Sequence, residues 1–184
     1  MMRVQRFGEH RAMPWANGRG TSYEIASDRD DAGEWSWRVA IAPVAEDGPF
    51  SRMPCVDRKL LLIEGSEMRL TIDGKNVSCE PGVVVAFRGE AQTEATLPRG
   101  PVVDLGLMVH RKKASGSVVF ASAIDKHLNI DAELVVAVGG EARLEIDGAV
   151  VVLQHKDACL NLHGTSVVLR SGAIAAVQYV EMPT

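Results

Sequence analysis

Apolar positions along this chain fall in short, Val-rich blocks that alternate with polar residues and end at Gly, Pro, Asp or Asn. They almost nowhere recur at the i, i+3, i+4, i+7 spacing of an amphipathic helix, so the pattern predicts strands. Two places carry the sharpest turn signal. Residues 69–72 and 75–77 flank Asp73-Gly74, and residues 143–146 and 149–151 flank Asp147-Gly148. Asp-Gly readily supplies the two positive-φ residues of a type I′ turn, whose twist matches that of the paired strands. Both segments are predicted to be hairpins.

The two hairpins are copies of one another. Gly65-Ser66-Glu67-Met68-Arg69-Leu70-Thr71-Ile72-Asp73-Gly74 and Gly139-Gly140-Glu141-Ala142-Arg143-Leu144-Glu145-Ile146-Asp147-Gly148 are identical at seven of ten positions, with a constant offset of 74. Each follows an apolar strand (60–63, 134–138) and precedes another (83–87, 158–162). Two copies at this long spacing exclude solenoids and propellers and predict two similar antiparallel units. Short strands in such number hide their edges best by closing into small barrels. The order of strand, hairpin and strand is that of cupin jelly rolls, so the expected fold is all-β, a bicupin of two jelly-roll barrels from an internal duplication. Charge and small residues replace the alternation at 110–116. The expected division is therefore 1–111, a first barrel with the ligand site, and 112–184, a scaffold-like second barrel.

Composition narrows the function. With 184 residues, 46% of them hydrophobic, and a net charge of −4, the chain reads as a soluble globular protein. Its longest apolar runs are far shorter than the roughly 20 residues of a membrane span, and the first ten residues lack the apolar core of an export signal. A cytoplasmic location without membrane contact is expected. No Lys/Arg stripe offers itself to phosphates, so nucleic acid is not an expected partner. Cys55, Cys79 and Cys159 are odd in number and widely spaced, which argues against disulfides and structural zinc and predicts three buried thiols in a reducing compartment. The five histidines include no His-x-His, the pair a cupin metal site needs on one strand face, so neither metal nor other cofactor is expected. Nucleophile-elbow, phosphate-loop and zinc-protease signatures are absent, and no residue is assigned as catalytic.

The copies are unequal. Seven of the eight prolines, all three tryptophans and seven of the nine aromatics lie in the first 101 residues. Elaborated loops and aromatics build small-molecule pockets, so the site is expected in the first unit. Alternation along 35–41 sets Arg38 between the small residues Ser36 and Ala40, opposite Trp35, Trp37, Val39 and Ile41. Along 103–109 it sets Asp104, Gly106 and Met108 opposite Val103, Leu105, Leu107 and Val109, a pattern that fits either a cavity wall or a half-exposed strand.

Several segments together resemble the HutD/Ves family: Pro14-Trp15-Ala16-Asn17-Gly18-Arg19-Gly20-Thr21-Ser22-Tyr23-Glu24-Ile25, Trp37-Arg38-Val39-Ala40-Ile41-Ala42, Asp47-Gly48-Pro49-Phe50-Ser51, Pro54-Cys55-Val56-Asp57-Arg58, Ala86-Phe87-Arg88-Gly89, and Pro101-Val102-Val103-Asp104-Leu105-Gly106-Leu107-Met108. The resemblance covers nearly all of the first unit. It implies a bicupin that binds formylglutamate and modulates flux through histidine degradation without catalysing a step. Three positions depart from the family pattern: Arg19 interrupts a glycine triplet, Cys55 replaces the glycine of a Pro-Gly pair, and Gly106 replaces an asparagine. A small acidic metabolite needs cationic forks for its carboxylates. Arg38 and Arg58 are the best forks, with Arg19 a third. Asp104 and Met108 complete a wall, Asn17 and Thr21 offer polar contacts unless they serve the local backbone, and Trp15 is either a lid or a packing residue. Glu24 is open to two roles, orienting Arg38 or Arg58, or acting as a base. Three functions follow from these residues: a metabolite-binding modulator, an unrecognised enzyme on the same site, and a partner-binding protein. Monomer and homodimer both remain open.

Overall fold

The alternating blocks fold as strands. In the computed structural model, which describes residues 1–15, 18–124 and 127–182, they are β1 (Arg3–Gln5), β2 (Arg11–Pro14), β3 (Thr21–Ser27), β4 (Trp37–Val44), β5 (Gly48–Pro49), β6 (Val56–Glu64), β7 (Met68–Ile72), β8 (Lys75–Cys79) and β9 (Val84–Arg88). The chain continues through β10 (Thr93–Thr96), β11 (Val102–His110), β12 (Ala114–Ala123), β13 (Leu128–Ile130), β14 (Leu134–Ile146), β15 (Ala149–Leu153), β16 (Ala158–Leu160) and β17 (Val167–Glu181). A single 3-10 turn, Phe7–Glu9, is the only helical element among the described residues. None of them forms a helix long and apolar enough to cross a membrane.

Both Asp-Gly pairs form the expected turns. Asp73 and Gly74 lie at φ 47° and 79°, Asp147 and Gly148 at 48° and 83°, between β7 and β8 and between β14 and β15. The duplication extends past the identical residues. The Asp73 amide donates to the Gln92 carbonyl, and the Gln92 amide donates back to Asp73 Oδ1, both at 2.9 Å. Asp147 and Ser166 repeat the clamp at 3.0 and 2.9 Å. Since Gln92 and Ser166 contribute only backbone, the clamp survives although their side chains differ.

Two compact units result. The first holds a six-stranded sheet in the order β2-β3-β4-β11-β6-β9 and a four-stranded sheet β5-β10-β7-β8, around a core that includes Leu60, Leu62, Met68, Leu70 and Val85. The second holds a seven-stranded sheet, β1-β16-β14-β17-β12, with β13 on β17 and β15 on β14, around Val135, Ala137, Leu144, Leu169 and Ile174. These are two jelly-roll units of one duplicated, all-β design, although the hydrogen-bonded ladders stay open rather than closing on themselves.

The sequence reading divides the chain once, at 111/112. The structure groups Arg11–Gly116 with Tyr179–Thr184, and Met1–His10 with Ser117–Gln178. In the second unit β1 pairs antiparallel with β16, and Asp157 takes hydrogen bonds from Arg6 Nη1 at 2.6 Å and the Phe7 amide at 3.0 Å. In the first unit Tyr179 stacks on Trp37 at 3.7 Å between ring centroids, and Trp37 Nε1 donates to Glu181 Oε1 at 3.2 Å. A three-residue strand and one aromatic stack are too short to leave a periodic trace, which is why alternation alone does not assign the chain ends.

The cysteines need a correction. Cys79 and Cys159 are buried as expected, and burial pushes their thiols up to about 12 and about 11. Cys55 is exposed. It occupies a turn ahead of β6 at φ 62°, a left-handed conformation in which the buried alternation of the strand has not yet begun.

Candidate functional site

Strand register builds the site. On β4, β11 and β6, Arg38 lies opposite Met108, and Met108 opposite Arg58. Neighbouring strands are about 4.8 Å apart, so the two arginines are rooted roughly 10 Å from each other with a methionine between them. Two residues along, the row is Ala40, Gly106 and Leu60, and two further it is Ala42, Asp104 and Leu62. The same face therefore carries guanidinium groups at one end and a carboxyl at the other, and the small residues Ala40, Ala42 and Gly106 line the cavity between them. Above this floor lies a cavity of about 350 Å³, walled also by Met13, Trp15, Val44, Phe50 and Met53. That volume sits at the small end of the range of about 300–1,000 Å³ usual for ligand sites.

Local structure holds each wall in place. The β3–β4 connection is latched by Asp28, whose Oδ1 accepts from the amides of Ser36 at 2.7 Å and Trp37 at 3.0 Å. Burial alone would raise the Asp28 carboxyl, but these bonds outweigh it and hold the group below its ordinary value. The latch sets the start of β4 and hence the placing of Arg38. Trp15 donates through Nε1 to Ser22 Oγ at 2.8 Å, and its ring lies over Gly20, where a Cβ would come within 2.7 Å of it. Met53 is brought in by backbone bonds around Gly89, where a Cβ would meet the Met53 carbonyl at 2.5 Å.

The two forks are supported differently. Glu24 is buried behind Arg38, its Oε2 3.1 Å from Arg38 Nε and accepting from Arg29 Nη2 at 3.1 Å, with Arg11 at 4.0 Å from Oε1. One carboxylate shared by three guanidinium groups cannot neutralise Arg38, and Arg38 donates no hydrogen bond to a described residue. Arg58 is held between the rings of Phe50 and Phe87, 4.8 and 5.2 Å from its guanidinium carbon, and gives one bond, from Nη1 to the Ser51 carbonyl at 3.3 Å. Burial pulls Arg58 below the ordinary guanidinium range; Asp104 opposes this and Arg38 adds to it. Both forks keep N–H groups for a ligand.

Among the residues expected at the site, Trp15, Arg19, Arg38, Arg58, Asp104 and Met108 line the cavity. Arg19 is not a free fork: its Nη2 lies 3.0 Å from Glu46 Oε2 and donates to the Asp47 carbonyl at 3.2 Å, strapping the rim. Thr21 is opposite Pro14 at the start of β3, off the cavity wall. Glu24 is also off the wall, as the counter-ion behind Arg38. Asn17 lies outside the described residues. The sequence reading missed the Phe50–Phe87 clamp and Arg29. Phe87 had a signal in the sequence, as the aromatic end of the apolar run 83–87; its place opposite Arg58 comes from strand pairing.

Cupins commonly hold a divalent metal between histidines and a carboxylate. The lining holds no histidine or cysteine; four arginines (Arg19, Arg38, Arg52 and Arg58) stand against three acids, of which Glu46 and Asp47 lie at the exposed rim and only Asp104 is buried, and this donor set does not fit a metal ion. No cluster of three or more His, Cys, Asp or Glu side chains converges elsewhere among the described residues.

Known proteins agree with this architecture. An uncharacterised 21.2 kDa protein in the hutC 3′ region of Pseudomonas putida is 32% identical over 109 residues, covering 58% of this chain and 57% of that protein. Protein Ves of Citrobacter koseri is 33% identical over 115 residues, 59% of each. The match thus spans less than two thirds of either curated relative. Among solved structures, a conserved protein of unknown function from Pseudomonas aeruginosa PAO1 superposes with a TM-score of 0.84 at 26% identity, over 97% of this chain and 98% of that one. HutD from Pseudomonas fluorescens SBW25 superposes at 0.82 with 24% identity over the whole of both chains, and supports the fold alone. A family model described as HutD matches residues 8–177, and the chain belongs to the HutD family.

Proposed function

We propose that the protein binds a small dicarboxylate such as N-formylglutamate in the first unit, and that this binding modulates flux through histidine degradation. The observation that carries the reading is the Arg38-Met108-Arg58 row, two incompletely paired guanidinium groups at the edge of a small, largely apolar cavity. Carboxylates take bidentate bonds from such forks, and the apolar walls strengthen them by excluding water. The alanine and glycine floor leaves room for the ligand's chain. The P. putida relative, named for the hutC 3′ region, and the resemblance to the HutD/Ves family supply the metabolic setting. Glu24, the one base considered for an enzyme on this site, stands behind Arg38 rather than on the wall, which favours binding over turnover.

Calorimetric titration of the chelator-treated protein with N-formylglutamate, beside glutamate and urocanate, tests this. Saturable binding of N-formylglutamate, weakened about 100-fold in Arg38→Ala, is the expected result. Equal binding by wild type and Arg38→Ala, or no binding by any of the three, overturns the reading.

A further inference from the structure

Among the described residues, Asp104 is the one acid on the cavity wall that no cation or donor has claimed. It is only 4% exposed, it faces the cavity from β11, and its buried Oδ2 has no hydrogen-bond partner among the described residues. Its strand neighbours on this face are Ala42 and Leu62, and neither side chain can donate. Arg58 faces it from β6 without coming within ion-pair distance, because that guanidinium is held between Phe50 and Phe87. A carboxylate left bare in such a place costs far more than a neutral acid. The acid form, in contrast, carries a donor aimed at a ligand.

We propose that Asp104 reads the ligand as a carboxylic acid: its O–H donates to an oxygen of a bound dianion, so the cavity selects a doubly deprotonated dicarboxylate without a free amine and takes up one proton with it. This rests on the reading of the Arg38 and Arg58 forks given above. Arg38 and Arg58 match the two carboxylates of a dianion, and a neutral Asp104 adds a donor beside them without adding a third negative charge. A free ammonium group on the ligand would sit in the field of both arginines and is selected against. An N-acylated amino diacid meets both conditions, since its carbonyl offers the acceptor and its nitrogen carries no charge.

The surroundings agree with this protonation. Burial pushes the Asp104 carboxyl up to about 7 against the opposing pull of Arg58. The Cys79 thiol on β8 also bears on it and is itself pushed up to about 12, mainly by burial, while Arg38 on β4 acts on Arg58. Arg19, Glu46, Asp47 and Arg52 stand at the exposed rim. Asp104 is thus the group poised to change charge between pH 6 and 8.5, and a bound dianion raises it further.

Calorimetry with N-formylglutamate at pH 6 and pH 8.5, in buffers of different ionisation enthalpy, counts the protons directly. Uptake approaching one proton per ligand is expected at pH 8.5 and little at pH 6, with affinity about 30-fold weaker at pH 8.5, since each unit above a value near 7 costs tenfold. Asp104→Asn, whose amide donates at every pH, is expected to bind at least about tenfold more tightly than wild type at pH 8.5, with no proton uptake. Glutamate is expected to bind more weakly than N-formylglutamate at both pH values. Binding to the wild type without proton uptake at pH 8.5, or an Asp104→Asn variant that binds more weakly there, overturns this inference alone. Failure of N-formylglutamate to bind at pH 6 overturns it together with the reading of the arginine forks.

Discussion

The two units share a hairpin, a backbone clamp and a paired central strand, yet the cavity over Arg38, Gly106 and Asp104 belongs to the first. The difference lies in the inward positions of one strand pair. In the first unit Asp104 stands opposite Leu62 and Gly106 opposite Leu60. In the second, Ile174 stands opposite Ala137 and Ala176 opposite Val135, and all four belong to the apolar core. Burying an isoleucine stabilises by about 1.5–3 kcal/mol, whereas burying a carboxyl without a partner opposes folding. The second copy uses its inward positions for packing. The first has kept a largely apolar hollow with a few polar groups on its wall, supported by the Phe50–Phe87 clamp, the Asp28 latch and the Trp15 anchor.

Glycine substitutions expose this difference most strongly. Gly172 lies in β17 at φ 82°, and a Cβ there would meet the Glu141 carbonyl oxygen at 2.3 Å and the Ala142 Cα at 2.9 Å. Neither is a flexible side-chain end, so Gly172→Ala is expected to destabilise the protein by roughly 3 kcal/mol or more, read by urea denaturation. Gly106 in the first unit is the contrasting case. A Cβ there has ordinary contacts, the nearest at 3.8 Å, so Gly106→Ala should fold with near wild-type stability. It should nevertheless weaken N-formylglutamate, because the new methyl group stands on the cavity floor. An unfolded Gly106→Ala protein, or a stable Gly172→Ala protein, would erase the distinction between a glycine kept for the fold and one kept for the cavity.

Next in size is the conversion of the first unit's polar position into the second unit's apolar one. Asp104→Ile removes the unpaired carboxyl and is expected to stabilise the protein by on the order of 2 kcal/mol at pH 8 while abolishing N-formylglutamate binding. The sign with pH follows from the raised carboxyl. Folding favours the protonated acid, so wild-type stability from this group is complete below its ordinary value of 3.8 and is lost as pH rises towards about 7. The advantage of Asp104→Ile should therefore grow across that window and level off above it. Matched denaturation curves at pH 4, 6 and 8 measure this; an advantage that is constant with pH, or absent, would mean that Asp104 is satisfied in the free protein.

What the sequence disclosed, and what it hid, follows the range of each interaction. The Asp-Gly turns are local chemistry, and both hairpins stand where the dipeptides put them. The alternation in 35–41 and 103–109 places Arg38, Ala40, Asp104, Gly106 and Met108 on the faces they occupy, because a strand leaves a side chain no third direction. Partner choice is not local. That Glu24 serves Arg11, Arg29 and Arg38 together, that Arg19 straps Glu46 instead of facing a ligand, and that Arg58 is stacked between two phenylalanines all depend on chain segments brought together by folding. The grouping of the chain ends is of the same kind, resting on a three-residue strand at one end and a Trp37–Tyr179 stack at the other.

The smallest effect compares two left-handed turns. The turn 80–83 of the first unit recurs as 154–157 of the second, each closed by an amide-to-carbonyl bond, Val83 to Glu80 at 3.1 Å and Asp157 to Gln154 at 2.9 Å. Gly82 fills its left-handed position at φ 81°, and Lys156 fills the same position at φ 71°. The first unit carries its own non-glycine residue of this kind at Cys55, the position where the family resemblance places a glycine. Left-handed backbone costs a residue with a Cβ about 1–2 kcal/mol, partly offset in glycine by its greater loss of freedom on folding. Cys55 is exposed, and its turn is tied down by backbone, its carbonyl accepting from the Arg111 amide at 2.9 Å. Cys55→Gly is therefore expected to stabilise by about 1 kcal/mol. Lys156 differs because its ammonium lies 5.2 Å from the centre of the Phe7 ring, a contact of about 0.5–1 kcal/mol that a glycine would lose. Lys156→Gly should consequently be near neutral. Urea denaturation of the two variants side by side checks this, and a larger gain from Lys156→Gly than from Cys55→Gly would show that the Phe7 contact contributes nothing and that backbone strain alone ranks the two turns.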